Sequence, residues 1–234
     1  MYVSNVRYAP NGVAEYTLML ILLTARNFKE AMLRANVNDY SLTGLMGREL
    51  RNMTIGVLGT GRIGTQVINY LRGFGCRIVA YDPYPNLELQ NTITYLSLDD
   101  IYQQSDILTL HLPMSDAMYH VINDEAIAKR KPDIIIINTA RGALIDAEAL
   151  IKGIESRKIG ALGLDVFGNE SGIYHRDRRL DRLDNRAMAY LRQFPNVIMS
   201  QHMVFYTAED VEMMVVQSLD NLQALEQGTS RSEF

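Results

Sequence analysis

Thr54-Ile55-Gly56-Val57-Leu58-Gly59-Thr60-Gly61-Arg62-Ile63-Gly64 joins an apolar, β-branched run to a glycine-rich turn and then to the helical pattern of residues 62–74. The three glycines of such a turn have separate uses. Gly59 permits the tight turn, Gly61 lets a pyrophosphate approach the backbone, and Gly64 allows helix and strand to pack closely. The N-terminus of the helix offers free N–H groups and the positive end of its dipole, which suits phosphate. Steric need alone also produces glycine-rich turns, so the next acidic residue matters. Asp82 stands 18 positions after Gly64, at the end of the apolar run 77–81, where a carboxylate can accept hydrogen bonds from both adenosine ribose hydroxyls. Its charge repels a 2′-phosphate, and Pro83-Tyr84-Pro85 offers no arginine to hold one. NAD, rather than NADP, is the expected cofactor.

Working outward, further apolar runs occupy 106–110, 133–138, 160–164 and 196–199, and helical patterns fall at 97–103, 123–130, 146–156 and 185–193. Continuous apolar runs suit strands buried on both faces, and their alternation with helices predicts an α/β domain with a doubly wound parallel sheet of the Rossmann type. Asp146 is a plausible N-cap, with Glu148 adding favourable charge to the first turn. Two helices stand outside the repeat. One follows Pro10 and runs to about Arg26; the other covers 207–227 and carries Val211, Met214, Val215, Leu219, Leu222 and Leu225 on one stripe, which needs a partner surface. Residues 171–185 are the least regular and mix arginines with aspartates, as a solvated surface does, and 228–232 read as a frayed tail.

The 234 residues hold 23 Lys+Arg and 27 Asp+Glu, a net charge of −4 that gives no pull toward nucleic acid or anionic lipid. A single cysteine, Cys76, forms neither an intramolecular disulfide nor a thiolate zinc site, so a reducing, cytoplasmic setting is expected. The apolar run 18–25 is far short of the roughly 20 residues that span a bilayer. No secretory signal and no metal-ligand spacing are visible.

Asn138-Thr139-Ala140-Arg141-Gly142, Asp165-Val166-Phe167-Gly168-Asn169-Glu170 and Ser200-Gln201-His202-Met203-Val204-Phe205-Tyr206-Thr207 each fall just beyond the carboxyl end of an expected strand. Open α/β sheets place their ligands on that rim. Taken singly, Arg141, Glu170 and His202 have ordinary readings as loop residues. Placed together beside an NAD site, they are the groups needed to reduce a 2-oxo acid.

These segments, with Gly59 to Gly64, Asp82 and His111-Leu112-Pro113, strongly resemble the D-isomer-specific 2-hydroxyacid dehydrogenases, most closely the D-lactate dehydrogenase branch. The resemblance covers nearly the whole chain. It implies that Arg141 grips the substrate carboxylate and polarises the 2-keto oxygen, that His202 is the acid/base, and that Glu170 is the carboxylate partner of His202. It further implies that Asp165 holds the nicotinamide carboxamide, that Arg62, Ile63, Leu112, Pro113, Thr139 and Ala140 line the cofactor, and that Tyr8 lies near the substrate. His111 is expected to support the cleft, with His120 and His175 at the surface.

The chain departs from the usual pattern at Gly168, where the branch often has an acid, and at Gln201 and Met203, where proline and a smaller residue are common. Pocket size is therefore open, and a branched or aromatic 2-oxo acid stands beside pyruvate. Relative to the family, a separate N-terminal lobe is not recognisable. The expected organisation is a hinge at 1–10, an NAD-binding domain at 11–207, and a return helix with tail at 208–234, with weak activity in the absence of the other lobe. The expected function is NAD-dependent interconversion of a 2-oxo acid and a D-2-hydroxy acid. An NAD(H)-sensing binding module and an inactive fragment of such a dehydrogenase are the alternatives. The family usually pairs through its cofactor domain, so a homodimer is expected, with the helix after Pro10 as its interface.

Overall fold

Ile134-Ile135-Ile136-Ile137 is a run suited only to an element that is buried all round. In the computed structural model, which describes Val6 and residues 9–227, Ile134 and Ile136 enter the core on one side of a sheet and Ile135 and Ile137 the core on the other. Period-two alternation of a strand with two buried faces requires this division.

The sheet is parallel throughout, in the order β3-β2-β1-β4-β5-β6-β7. Its strands are β1 (Thr54–Leu58), β2 (Arg77–Tyr81), β3 (Thr94–Tyr95), β4 (Ile107–Leu110), β5 (Ile134–Asn138), β6 (Ile159–Leu164) and β7 (Val197–Met199). Six coincide with the apolar runs of the sequence. β3 has no counterpart among those runs, because two residues at a sheet edge leave no readable period.

Helices α1 (Asn11–Ala25) and α3 (Arg62–Arg72) pack on one face. Residues of α4 (Leu98–Gln104), α5 (Asp124–Ala128), α6 (Ala147–Glu155) and α7 (Arg186–Leu191) fill the core on the other. The expected doubly wound architecture is thus observed.

Helix starts differ in a way that bears on the site. Ser97, Asn123, Asp146, Asn185 and Thr207 each accept a first-turn N–H, capping α4, α5, α6, α7 and α8 (Ala208–Glu226). By contrast α3 starts on Gly61 with no side-chain cap.

Helix α1 buries Val13, Ala14, Thr17, Leu20, Ile21, Thr24 and Ala25. The Thr17 and Thr24 hydroxyls donate to Val13 O (2.8 Å) and Leu20 O (2.7 Å), which satisfies them inside the core. Seven of the fifteen residues of α1 are buried, while Met19 is exposed and Leu18, Leu22 and Leu23 are half-buried, so one face packs into the core and the other keeps apolar surface. Further exposed apolar surface lies next along the chain, on α2 (Phe28–Ala35), a helix with no counterpart in the sequence pattern and in which no residue is buried. Among the described residues no helix is long and apolar enough to cross a membrane.

Candidate active site

The strand order reverses between β1 and β4, so a crevice opens above their carboxyl ends. The turn after β1 forms its floor. Gly59 has φ +99°, and a Cβ there would press on the His111 carbonyl; a Cβ at Gly64 would collide with the Gly59 carbonyl oxygen. Both positions therefore require glycine for backbone approach. A Cβ on Gly61 would meet nothing within 4 Å. That open space, facing the uncapped start of α3, fits a pyrophosphate.

Asp82 is half-buried at the end of β2. Its Oδ2 accepts the Thr60 N–H (2.5 Å) and hydroxyl (3.1 Å), and its Oδ1 accepts the Tyr84 N–H (2.8 Å). The carboxylate thus also ties the glycine-rich turn to β2, a structural task that its spacing in the sequence does not reveal. Its remaining lone pairs suit ribose hydroxyls.

Beyond this floor lies a cleft of about 210 Å³. Its walls are Val13 of α1, Ile63 at the start of α3, His111, Leu112 and Pro113 after β4, Thr139, Ala140 and Arg141 after β5, and His202, Val204 and Phe205 after β7. Eight positions singled out in the sequence, Ile63, His111, Leu112, Pro113, Thr139, Ala140, Arg141 and His202, meet here. Val13, Val204 and Phe205 are wall residues that sequence reasoning misses. Phe205 lies in a motif segment without an assigned role, and Val13 follows only once α1 is placed on the sheet.

Local chemistry builds each wall. Asn138 Oδ1 accepts the Ala140 N–H (3.0 Å) and its Nδ2 donates to Arg141 O (2.9 Å), which shapes the turn after β5. The Thr139 hydroxyl lies 2.8 Å from that of Thr17 on α1. A Cβ on Gly142 would collide with the Phe167 backbone, so the loops after β5 and β6 touch main chain to main chain. The exposed Arg141 guanidinium donates to Ala140 O at 2.7 Å and so folds back over its own turn. His111 hydrogen-bonds the Thr109 hydroxyl at 2.9 Å, and enclosure of its ring pushes its pKa down, leaving it neutral.

His202 Nδ1 lies 2.5 Å from Glu170 Oε1, while Glu170 Oε2 accepts the Phe167 N–H at 2.7 Å. The hydrogen bond to Glu170 raises the His202 pKa above the ordinary imidazole value. Partial burial opposes this, the charges of Glu170 and Asp165 add to it, and Arg141 opposes it. An imidazolium stabilised beside a cleft is a proton donor in waiting.

Asp165 is fully buried beneath the cleft. Its Oδ1 accepts the Ser200 hydroxyl (2.6 Å) and the Met203 N–H (3.0 Å), its Oδ2 the Val204 N–H (3.2 Å), and its carbonyl the His202 N–H (2.8 Å). The structure thus employs Asp165 to hold the loop that carries His202. A Cβ on Gly168 would meet nothing within 4 Å, so the missing acid leaves room rather than strain. Tyr8 lies outside the described residues. Among the described residues no cluster of His, Cys, Asp and Glu could hold a metal ion.

Residues 18–204 match the family described as D-isomer specific 2-hydroxyacid dehydrogenase, NAD binding domain. The chain belongs to this family. It is an NAD-dependent oxidoreductase acting between 2-oxo acids and D-2-hydroxy acids. The dehydrogenase is 45% identical over 234 residues to an aromatic 2-oxoacid reductase of Clostridium sporogenes, with 99% of this chain and 71% of that protein covered. It is 38% identical over 222 residues to a D-lactate dehydrogenase of Lactobacillus delbrueckii subsp. bulgaricus, covering 94% of this chain and 67% of that one. The pyruvate reductase of Chlamydomonas reinhardtii superposes with a TM-score of 0.92 at 36% identity, covering 97% of this chain and 69% of that one.

Proposed function

We propose that this dehydrogenase reduces a 2-oxo acid with an aromatic side chain, with His202 as the acid/base, Glu170 as its partner and Arg141 as the carboxylate clamp. The observation that carries the reading is the 2.5 Å contact between His202 Nδ1 and Glu170 on a cleft shared with Arg141. With Nδ1 donating to Glu170, Nε2 is left to give a proton to the 2-keto oxygen and to take it back in the reverse direction. Arg141, released from Ala140 O, presents a planar fork of donors to a carboxylate. NAD supplies the hydride when bound, with Gly59, Gly61, Arg62 and Gly64 toward its pyrophosphate, Asp82 toward its ribose, and Ile63, Leu112, Pro113, Thr139 and Ala140 toward its nicotinamide end. Support for an aromatic substrate comes from the 45% identity to the Clostridium sporogenes reductase and from Phe205 in the cleft wall. Oxidation of NADH with phenylpyruvate, 2-oxoisocaproate and pyruvate tests it. The expected order of kcat/KM is phenylpyruvate first and pyruvate last; the reverse order overturns the assignment.

We also infer that residues 11–207 are the NAD-binding unit and that 1–10 and 208–234 serve a substrate-side lobe. Helix α8 supports this, since Val215, Val216, Leu219 and Leu222 are exposed and Asp210 is its only buried residue. Pairing of two copies is best supported on the α2 side, where Phe28, Met32, Leu33, Val37, Tyr40, Leu42 and Met46 are all exposed. Leu42→Glu is expected to convert a sedimenting dimer to a monomer, and an unchanged mass refutes that face. One half-buried cysteine and no disulfide among the described residues accord with a cytoplasmic setting.

A further inference from the structure

We propose that His175 is a positioning residue for the acid/base pair, acting through the main chain of His202. The proposal rests on the reading of His202 as the acid/base.

His175 follows Glu170 by five residues on the irregular segment after β6. The Glu170 carbonyl accepts the N–H groups of Ile173 (3.0 Å) and Tyr174 (3.2 Å), which turns the chain back toward His202. His175 Nε2 then donates to the His202 carbonyl oxygen at 2.9 Å. Its ring centroid lies 6.1 Å from those of both His202 and Phe205.

His202 needs such restraint. Its φ of +54° is in the left-handed region, which is strained for a residue with a Cβ, so contacts on either side of it keep it there. Asp165 O holds the N–H side of this residue, Glu170 the ring, and His175 the carbonyl side. The same short segment therefore grips His202 twice, at the imidazole and at the main chain. Without the second grip the His202 peptide is free to relax, and the imidazole loses its alignment with Glu170 and with the reacting oxygen. Misplacement on this scale is costly in catalysis even when every reacting group remains. His175 itself is exposed, so its replacement leaves the core intact.

Two variants of the full chain separate the donor from the ring. His175→Phe keeps a ring beside Phe205 and removes the donor, whereas His175→Gln keeps an N–H donor at similar reach. In His175→Phe, kcat with phenylpyruvate is expected to fall about tenfold with NADH affinity unchanged. The His202 ring titration, followed by NMR, should move to lower pH, because the Glu170 hydrogen bond is less well made. His175→Gln should restore both. Wild-type kcat in His175→Phe, a fall without a titration shift, or equal losses in the two variants overturns the proposal. Because the titration needs no substrate, it decides the role of His175 alone. A wild-type chain that reduces no 2-oxo acid would instead sink the reading of the site.

Discussion

On its phosphate side the crevice is made by one uninterrupted stretch, residues 54–64, in which backbone shape does the work: two glycines answer steric demands and an uncapped helix start offers N–H groups. On its catalytic side the groups come from loops after β4, β5, β6 and β7, and side-chain hydrogen bonds hold them in place. The first half is preorganised by covalent neighbours. The second depends on contacts such as those of Asp165 with Ser200, Met203 and Val204, which couple positions 35 to 39 residues apart. Binding and chemistry should accordingly fail separately.

His202→Gln tests that separation with the largest expected effect. Removing the proton donor should lower kcat for 2-oxo acid reduction by about 10²–10⁴-fold while NADH binding, measured by fluorescence, is retained. Unchanged turnover would remove His202 from the acid/base role, and lost NADH binding would show that the two halves are one unit. Gly64→Ala is the complementary change. Its Cβ would meet the Gly59 carbonyl, so NADH affinity should drop about tenfold or more, and the His202 titration should stay where it is. A variant that binds NADH normally would show that the turn yields more readily than its geometry implies.

The difference between the halves also explains what is readable in the sequence. Glycine spacing, strand runs and Asp82 are local signals, and they locate β1, α3 and the crevice floor directly. Six strands are visible because a strand buried on both faces must be apolar throughout, as at 134–137; β3 and α2 are not, one being two residues long and the other exposed along much of its length with no residue buried. Arg141, Glu170 and His202 carry no periodicity at all. They become visible through their positions after successive strands and through resemblance. Asp165 shows the limit of that route: the motif marks the residue, but only the fold reveals a buried carboxylate that holds a loop. The left-handed backbone of His202 and its bond to His175 have no sequence signal, since the bond joins residues 27 positions apart and no periodicity marks either.

Glu170→Gln probes the coupling inside the catalytic half. Reduction needs the imidazolium, so the rate is lost as pH rises through the His202 pKa. In the native protein the hydrogen bond that His202 donates to Glu170 raises that pKa, and activity persists to correspondingly higher pH. A neutral amide favours the imidazolium less, so the upper pH limit for reduction should move down, with NADH affinity unaffected. The stability linkage has the same sign: the pair stabilises the fold below the ordinary imidazole pKa, and that contribution disappears as pH rises through the raised one. A pH profile that does not move would mean the two side chains touch without sharing the proton's energetics.

The smallest effect is expected at Asp82, where the phosphate half relies for once on a side chain. Asp82→Asn keeps the shape but replaces one acceptor oxygen with an NH₂ group. Oriented to keep both Thr60 bonds, the amide points that group at the Tyr84 N–H, so one hydrogen bond becomes a meeting of two donors. The ribose loses the same acceptor, and loss of one such hydrogen bond to the cofactor corresponds to about a fivefold weaker NADH affinity, with kcat unchanged. The lost negative charge no longer repels a 2′-phosphate, so the ratio of NADPH to NADH affinity should rise at the same time. An unchanged ratio would show that the carboxylate shapes the turn without choosing the cofactor, and would leave backbone geometry as the whole basis of recognition on that side.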